Sequence, residues 1–434
     1  MTRYFLLLLS LFLSHTMHAQ LTFNTFQAYA DYAIKNNPDI KRAAINELIE
    51  RQNYYSSIGA VLPVVRASFN LTDNLIRPTT IVPGTFIGRP DTSLAFQFGR
   101  KYLMQPGFDA SWNVMNAAGV EQVLIAKKNM EIAKLSASLN EEQLKTILAS
   151  SYYNYLLTKA NLLFVEKNLS VSDSLKRIAA TRFRNGLVDE LEVNRTKTQH
   201  LRNALNLSQS QTLADKALNE LKVLVNLPTT DKLVITESIA VPQSLEADLA
   251  VLNDQSKRTQ AKVAAMRVEV AKMNRTKEGL KYLPDVNLFG NYNWQSQSDK
   301  FSDQKWFKSS AIGLKIETVI FGGGQKAFAV KRADLNYQSA KIELDNTLHN
   351  ISKDNESLRL DYQKSVADIS MVAELLQLSE RNYTLANYKY SNQILPFDQL
   401  LNVYTELLNA QQQYLEKISG YYAVKNKIQA IVNQ

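Results

Sequence analysis

Few residues of this 434-residue chain could do chemistry. It has no cysteine and four histidines. His15 and His18 fall in an N-terminal segment considered below, and His200 and His349 stand apart in the remainder. Isolated imidazoles without thiolates assemble no zinc, haem or iron–sulfur centre, so no metal and no cofactor is expected. No Ser/His/Asp set suggests a catalytic nucleophile. Gly322-Gly323-Gly324-Gln325-Lys326 is glycine-rich, but it lacks the spacing and the Ser or Thr of a nucleotide loop. Its simpler role is a turn from strand to helix, matched by Asn116-Ala117-Ala118-Gly119. Acidic residues gather at Asp189, Glu190 and Glu192 and again at Asp398, each just past a turn signal. Carboxylates there also suit the first turn of a helix. The chain reads as a non-enzyme whose function lies in its architecture.

Composition narrows the setting. The formal net charge is +9, with both signs interspersed, no basic block and no stacking motif, so nucleic acid is not an expected partner. Residues 1–19 read as a signal peptide: Arg3, an apolar run from Phe5 to Phe12, and Met17-His18-Ala19 before Gln20. That run is far short of the ~20 residues that cross a bilayer, and no later stretch approaches such a length. An exported chain of this kind is soluble in the periplasm, secreted, or a β-barrel of the outer membrane.

The elements that must carry the function come twice. Leu62-Pro63 and Leu283-Pro284 each open a segment of period two. Val65, Ala67, Phe69 and Leu71 alternate with polar residues, as do Phe108, Ala110, Trp112 and Val114. In the second copy Val286, Leu288, Gly290, Tyr292 and Trp294 repeat the pattern, followed by Ile312, Leu314 and Ile316. Strands are expected at about 64–73, 102–115, 285–296 and 309–319, apolar on one face and wet on the other. A half-buried soluble sheet has the same alternation. Trp112, Trp294 and Trp306 all lie in or beside these strands, as an interfacial aromatic girdle requires. The loop 73–101, with its prolines and glycines, is expected to lack regular structure.

Each strand pair feeds a stretch free of Gly and Pro, 120–185 and 325–395, on the order of 100 Å long if helical. Apolar residues recur there by threes and fours, diluted by Ser, Asn and Ala, which suits a packed wall with one wet face. A helix is expected over 25–60, broken at Asn37-Pro38. Gly186 turns the first long helix, and Asn392 is expected to replace it in the second. The chain thus divides into a signal peptide (1–19), a first repeat (20–228), a joining segment read as a belt around the helices (229–252) and a second repeat (253–434). The fold class is α+β, mainly α, with internal duplication. Four strands cannot close a barrel alone.

These residues resemble the TolC-like outer-membrane factors over nearly the whole mature chain. The likeness rests on Asn37-Pro38-Asp39-Ile40, the two Leu-Pro pairs, Phe321-Gly322-Gly323-Gly324-Gln325, Arg182-Phe183-x-x-Gly186, Tyr390-Ser391 and Leu407-Leu408-Asn409-Ala410-Gln411, in order. It implies a homotrimer in outer-membrane lipid, a twelve-stranded barrel above a helical coiled-coil barrel in the periplasm. It further implies an exit duct for efflux or type I secretion that serves an inner-membrane pump through a periplasmic adaptor. The residues expected to meet the adaptor at the tips are Arg182, Phe183, Gly186 and Leu187 with Tyr390, Ser391 and Leu395; the alternative is that Gly186 and its neighbours only make the turn. The family's gate aspartates align here with neutral Gln399 and Asn402, while Asp398 sits one residue earlier, about 100° around the helix. Glu192 aligns with an acidic family position and is expected to carry most of any cation selectivity; ordinary helix-start acids remain the alternative. A secreted or periplasmic coiled-coil structural or adaptor protein is the competing function.

Overall fold

The structure is a computed structural model that describes residues 21–83, 85, 88, 93–239 and 249–432. The expected signal peptide lies outside the described residues. The chain forms two compact units, one of residues 1–47, 134–264 and 344–434, the other of residues 48–133 and 265–343.

The elements follow in chain order: β1 (Leu21–Phe23), α1 (Phe26–Asn36), α2 (Pro38–Gly59), β2 (Val64–Asp73), β3 (Thr79–Pro83), β4 (Ser93–Gln97), β5 (Tyr102–Met115), α3 (Ala117–Arg184) and α4 (Glu190–Leu224). After β6 (Leu233–Ile235) and two short 3₁₀ turns come α5 (Thr259–Leu280), β7 (Asp285–Ser298), β8 (Trp306–Glu317), α6 (Gln325–Ser391) and α7 (Phe397–Val432). The order strand, strand, long helix, returning helix occurs twice, as β2-β5-α3-α4 and as β7-β8-α6-α7. α3 has 68 residues and α6 has 67.

In the second unit β2, β5, β7 and β8 form one antiparallel sheet in that order. At one end each strand joins a helix in sequence, β2 from α2, β5 into α3, β7 from α5 and β8 into α6. At the other end loops connect them. The loop 73–101 departs from the expectation of irregular structure, because β3 and β4 pair antiparallel from Thr79↔Gln97 to Pro83↔Ser93. Thr79, Thr80, Ile81 and Val82 are β-branched and favour extended backbone. Pro78 and Pro83 lie before and at the end of β3, where a missing N–H costs least.

The two strand-to-helix turns also differ. Gly119 lies inside α3, whose start is capped by Asn116: its Oδ1 accepts from the Gly119 N–H at 2.7 Å. Gly323 and Gly324, by contrast, precede α6 with φ of 61° and 78°, a conformation that needs glycine.

The first unit is a helical packing with a small two-stranded parallel sheet. β1 pairs with β6 from Leu21↔Leu233 to Phe23↔Ile235. β1, three residues long, is too short to show a period in the residues. The segment expected as a belt therefore contains a strand laid beside β1. Phe23, Tyr29, Leu148, Tyr152, Leu221 and Ile235 are buried together around it. Tyr29 donates to the Leu221 carbonyl at 3.0 Å, and Tyr152 to Glu237 at 2.7 Å.

Asn37 explains its own place in the sequence. Its Oδ1 accepts from the Asp39 N–H at 2.8 Å, opening α2 ahead of Pro38. Its Nδ2 donates to the Leu224 carbonyl at 3.1 Å, closing α4. One buried amide thus satisfies two helix ends.

Candidate functional site

Two regions carry the residues singled out from sequence: the sheet of the second unit and the paired helix turns of the first.

In the sheet, side chains on facing positions share a face. The register places Leu71 with Met104, Phe108 with Tyr292, Trp112 with Leu288, and Leu288 with Leu314. One face is therefore apolar across all four strands. Asn70 faces Gln105, Arg66 faces Asp109, Asp109 faces Asn291 and Asn287 faces Lys315 on the other. Among the described residues the apolar face is largely uncovered: Phe69 is 63% exposed and Ile312 81%. β2 and β8 are the sheet's outer strands, each with one side unpaired.

The tryptophans stand at both ends of that face. Trp112 is level with Leu288 and Trp306 with Ser296, a separation of eight residues along β7, about 26 Å at strand rise. Trp112 donates its indole N–H to the Val61 carbonyl at 3.0 Å. Trp294 packs edge-on against Tyr292 and Phe108.

The turn between α3 and α4 follows directly from Gly186. The Leu187 N–H bonds the Arg182 carbonyl at 2.9 Å and the Gly186 N–H bonds that of Phe183 at 3.0 Å, with Gly186 at φ 72°. This double closure requires a left-handed residue at the glycine position. Asp189 then caps α4, accepting from the Glu192 N–H. The turn between α6 and α7 repeats the geometry. The Ile394 N–H bonds the Lys389 carbonyl at 2.8 Å and the Gln393 N–H bonds that of Tyr390 at 3.0 Å. Here Gln393, at φ 65°, takes the glycine's place. The expectation for Asn392 is corrected by one residue, since Asn392, the first residue past α6, still bonds its N–H to the Tyr388 carbonyl in the helical manner.

The two turns are joined by side chains. Arg182 donates to the carbonyls of Tyr390 at 2.6 Å and Ser391 at 3.1 Å, and its guanidinium lies 4.4 Å over the Tyr390 ring. The Tyr390 hydroxyl donates to Glu192 at 2.7 Å. Burial, reinforced by that carboxylate, pushes the Tyr390 phenol well above its ordinary range, so it stays a donor. Asp398 is ion-paired with Arg195. Gln399 and Asn402 are exposed on α7, and Leu395 is half-buried against the Tyr390, Phe397 and Leu400 cluster.

Sequence reasoning missed Arg195, the partner of Asp398. It also missed Ile394, which is 68% exposed in the second turn. A third omission lies further along the same helices. Asn203 on α4 donates to the Asn168 carbonyl and the Tyr404 hydroxyl, both at 2.9 Å, and Asn168 donates to Gln411 at 2.9 Å. Burial pushes the Tyr404 phenol up to about 12.

No protein-family profile matches the chain, and no curated protein sequence does. Solved structures do match. The chain is similar to the outer membrane protein VceC from Vibrio cholerae, with a TM-score of 0.77 at 17% identity, over 94% of this chain and 95% of that one. It is similar to the CmeC outer membrane channel of Campylobacter jejuni, with a TM-score of 0.73 at 17% identity, over 94% and 85%. The open state of the MtrE outer membrane channel of Neisseria gonorrhoeae gives 0.73 at 14%, over 94% and 88%. At these identities the likeness establishes the fold.

The left-handed Gln393 yields a direct expectation. A side chain at that φ costs roughly 1 kcal/mol relative to glycine. Gln393→Gly should therefore slow amide exchange across residues 389–394 by up to about fivefold, whereas Gly186→Gln should speed it across 182–187. Hydrogen exchange with mass spectrometry reads both.

Proposed function

From a fold shared with TolC-like outer-membrane channels, we propose that three copies of this chain close a twelve-stranded barrel in the outer membrane and continue it as a helical duct through the periplasm. The duct is a passive conduit, the exit part of a tripartite efflux or type I secretion system. Energy comes from an inner-membrane pump, and a periplasmic adaptor links the pump to the helix tips.

The observation that carries this reading is the sheet, uncovered on its apolar face and unpaired along β2 and β8. Unpaired backbone is not tolerated in hydrocarbon, and only closure removes it. Eight further strands from two other copies supply both partners and leave an open lumen. No described helix is long and apolar enough to cross a membrane. The aromatic residues at both ends of the apolar face, about 26 Å apart, suit a band about 25 Å tall. A periplasmic coiled-coil adaptor, the competing reading, has no use for such a face.

Membrane fractionation and native mass spectrometry in detergent are the first test: outer-membrane trimers are expected, and a folded monomer in detergent-free buffer would end the proposal. Neighbouring substitutions then separate the faces. Leu71→Arg should cost roughly 2–4 kcal/mol and lower trimer yield, while Asn70→Arg should be nearly silent. Equal effects point to a soluble sheet.

At the tips, Arg182, Tyr390 and Ser391 hold the turns together, and Gly186 shapes one of them. Phe183 and Leu187 are open, Leu187 being 56% exposed. We assign adaptor docking mainly to these two. Leu187→Glu should abolish efflux in a complementation assay with trimer yield unchanged; loss of trimer would return Leu187 to a folding role.

For the gate, Asp398 is offset by Arg195, whereas Glu192 accepts a hydrogen bond from the Tyr390 phenol. Glu192→Gln should reduce cation preference in planar bilayers more than Asp398→Asn. The reverse order would relocate the acidic ring to α7.

A further inference from the structure

The loop end of the sheet is rich in cations. At the loop end, the described residues include Arg77, Arg100, Lys101, Lys300, Lys305 and Lys308 against Asp73, Asp299 and Asp303. Asp299 is already committed: it pairs with Arg100 at 2.5 Å and Arg77 at 3.6 Å, and accepts from the Lys101 N–H at 3.2 Å. Four lysines remain beyond that cluster, and none of them forms an ion pair among the described residues.

Two of these lysines are set among aromatic rings. Lys308 stands directly opposite Trp294 in the register, two residues from Trp306 on the same strand, and is exposed on the face that also carries Ile312 and Leu314. Lys101 lies 5.1 Å over the ring of Tyr102, which meets Phe301 edge-on at 5.6 Å. Tyr102 faces Asp73 and Ser298 at the last rung of the sheet. A lysine on an otherwise apolar face cannot leave its charge in hydrocarbon. Its stem lies along the apolar surface and its ammonium reaches outward to the interface. Indole and phenol rings prefer that same level. At the helix end of the sheet Lys315 stands on the opposite, polar face and is paired with Glu317 at 2.6 Å.

We infer that the loop-end rim, centred on Lys308, Lys305 and Lys101 with Trp306 and Tyr102, binds the phosphate-bearing headgroup of a lipid in the outward-facing leaflet. This rests on the barrel reading above. The headgroup phosphate meets the ammonium groups, while the acyl chains run down the face past Ile312 and Leu314. Each lysine near an anionic lipid surface contributes about a fivefold gain in binding.

The test uses the full-length protein purified as trimers in neutral detergent. Native mass spectrometry counts bound lipid A, a bisphosphorylated glycolipid, against its enzymatically dephosphorylated form and against millimolar inorganic phosphate. Wild-type trimers should retain the phosphorylated lipid, and K305Q/K308Q should weaken that binding by about 25-fold. K308R should bind as wild type, and Lys315→Gln at the opposite rim should change nothing. Competition by inorganic phosphate would show an ion site without lipid, and would overturn the proposal. So would equal binding by K305Q/K308Q, or no preference for the phosphorylated form. Those outcomes leave the duct intact. If the wild-type protein forms no trimer, the duct and the rim fall together, and the oligomer spectrum distinguishes that result from the others.

Discussion

An antiparallel sheet of four strands leaves two rows of backbone N–H and C=O groups without partners, and in this chain those rows run along β2 and β8. Water can satisfy such rows; hydrocarbon cannot. The same sheet exposes Phe69, Leu71, Ile312 and Leu314 on one face, so water is a poor environment for its side chains while lipid is a poor environment for its edges. Both demands are met together only when another edge completes the ladder. The duplicated order of elements follows from this. Each repeat contributes one hairpin, and a hairpin alone is too small to stand.

The helices solve a different problem. A long helix whose apolar stripe is diluted by Ser, Asn and Ala cannot rely on a dry seam. Here amides, a phenol and a hydroxyl bond across helices: Asn203 to Asn168 and Tyr404, Asn168 to Gln411, Ser151 to Glu220. A neutral hydrogen bond contributes about 1 kcal/mol, but leaving a buried donor unmet costs more. The contacts therefore fix register more than they add stability. Asn37 acts in the same way where α4 ends and α2 begins.

Much of this was legible in the residues. Period-two alternation located β2, β5, β7 and β8 within a few residues because each has one apolar face, and that pattern depends only on side-chain direction. The breaks at Asn37-Pro38 and Gly186 were legible because backbone geometry is written into those residue types. What was not legible is what depends on partners distant in sequence. β1 is too short to show a period and exists because β6 lies beside it. The hairpin of β3 and β4 was hidden by the prolines around it. Gln393 carries no local signal for a left-handed turn; the bonds from Gln393 and Ile394 back to α6 impose it. At the candidate site, the acids could be counted from sequence, but the pairing of Asp398 with Arg195 and of Glu192 with Tyr390 could not.

Arg182 has a mechanical consequence. It leaves the end of one hairpin and grips the last carbonyls of the other, with its guanidinium over the Tyr390 ring. Five donors on a rigid planar group resist shear better than a single flexible ammonium. A load applied to either turn is therefore shared between them, and the pair responds as one lever until that clasp lets go.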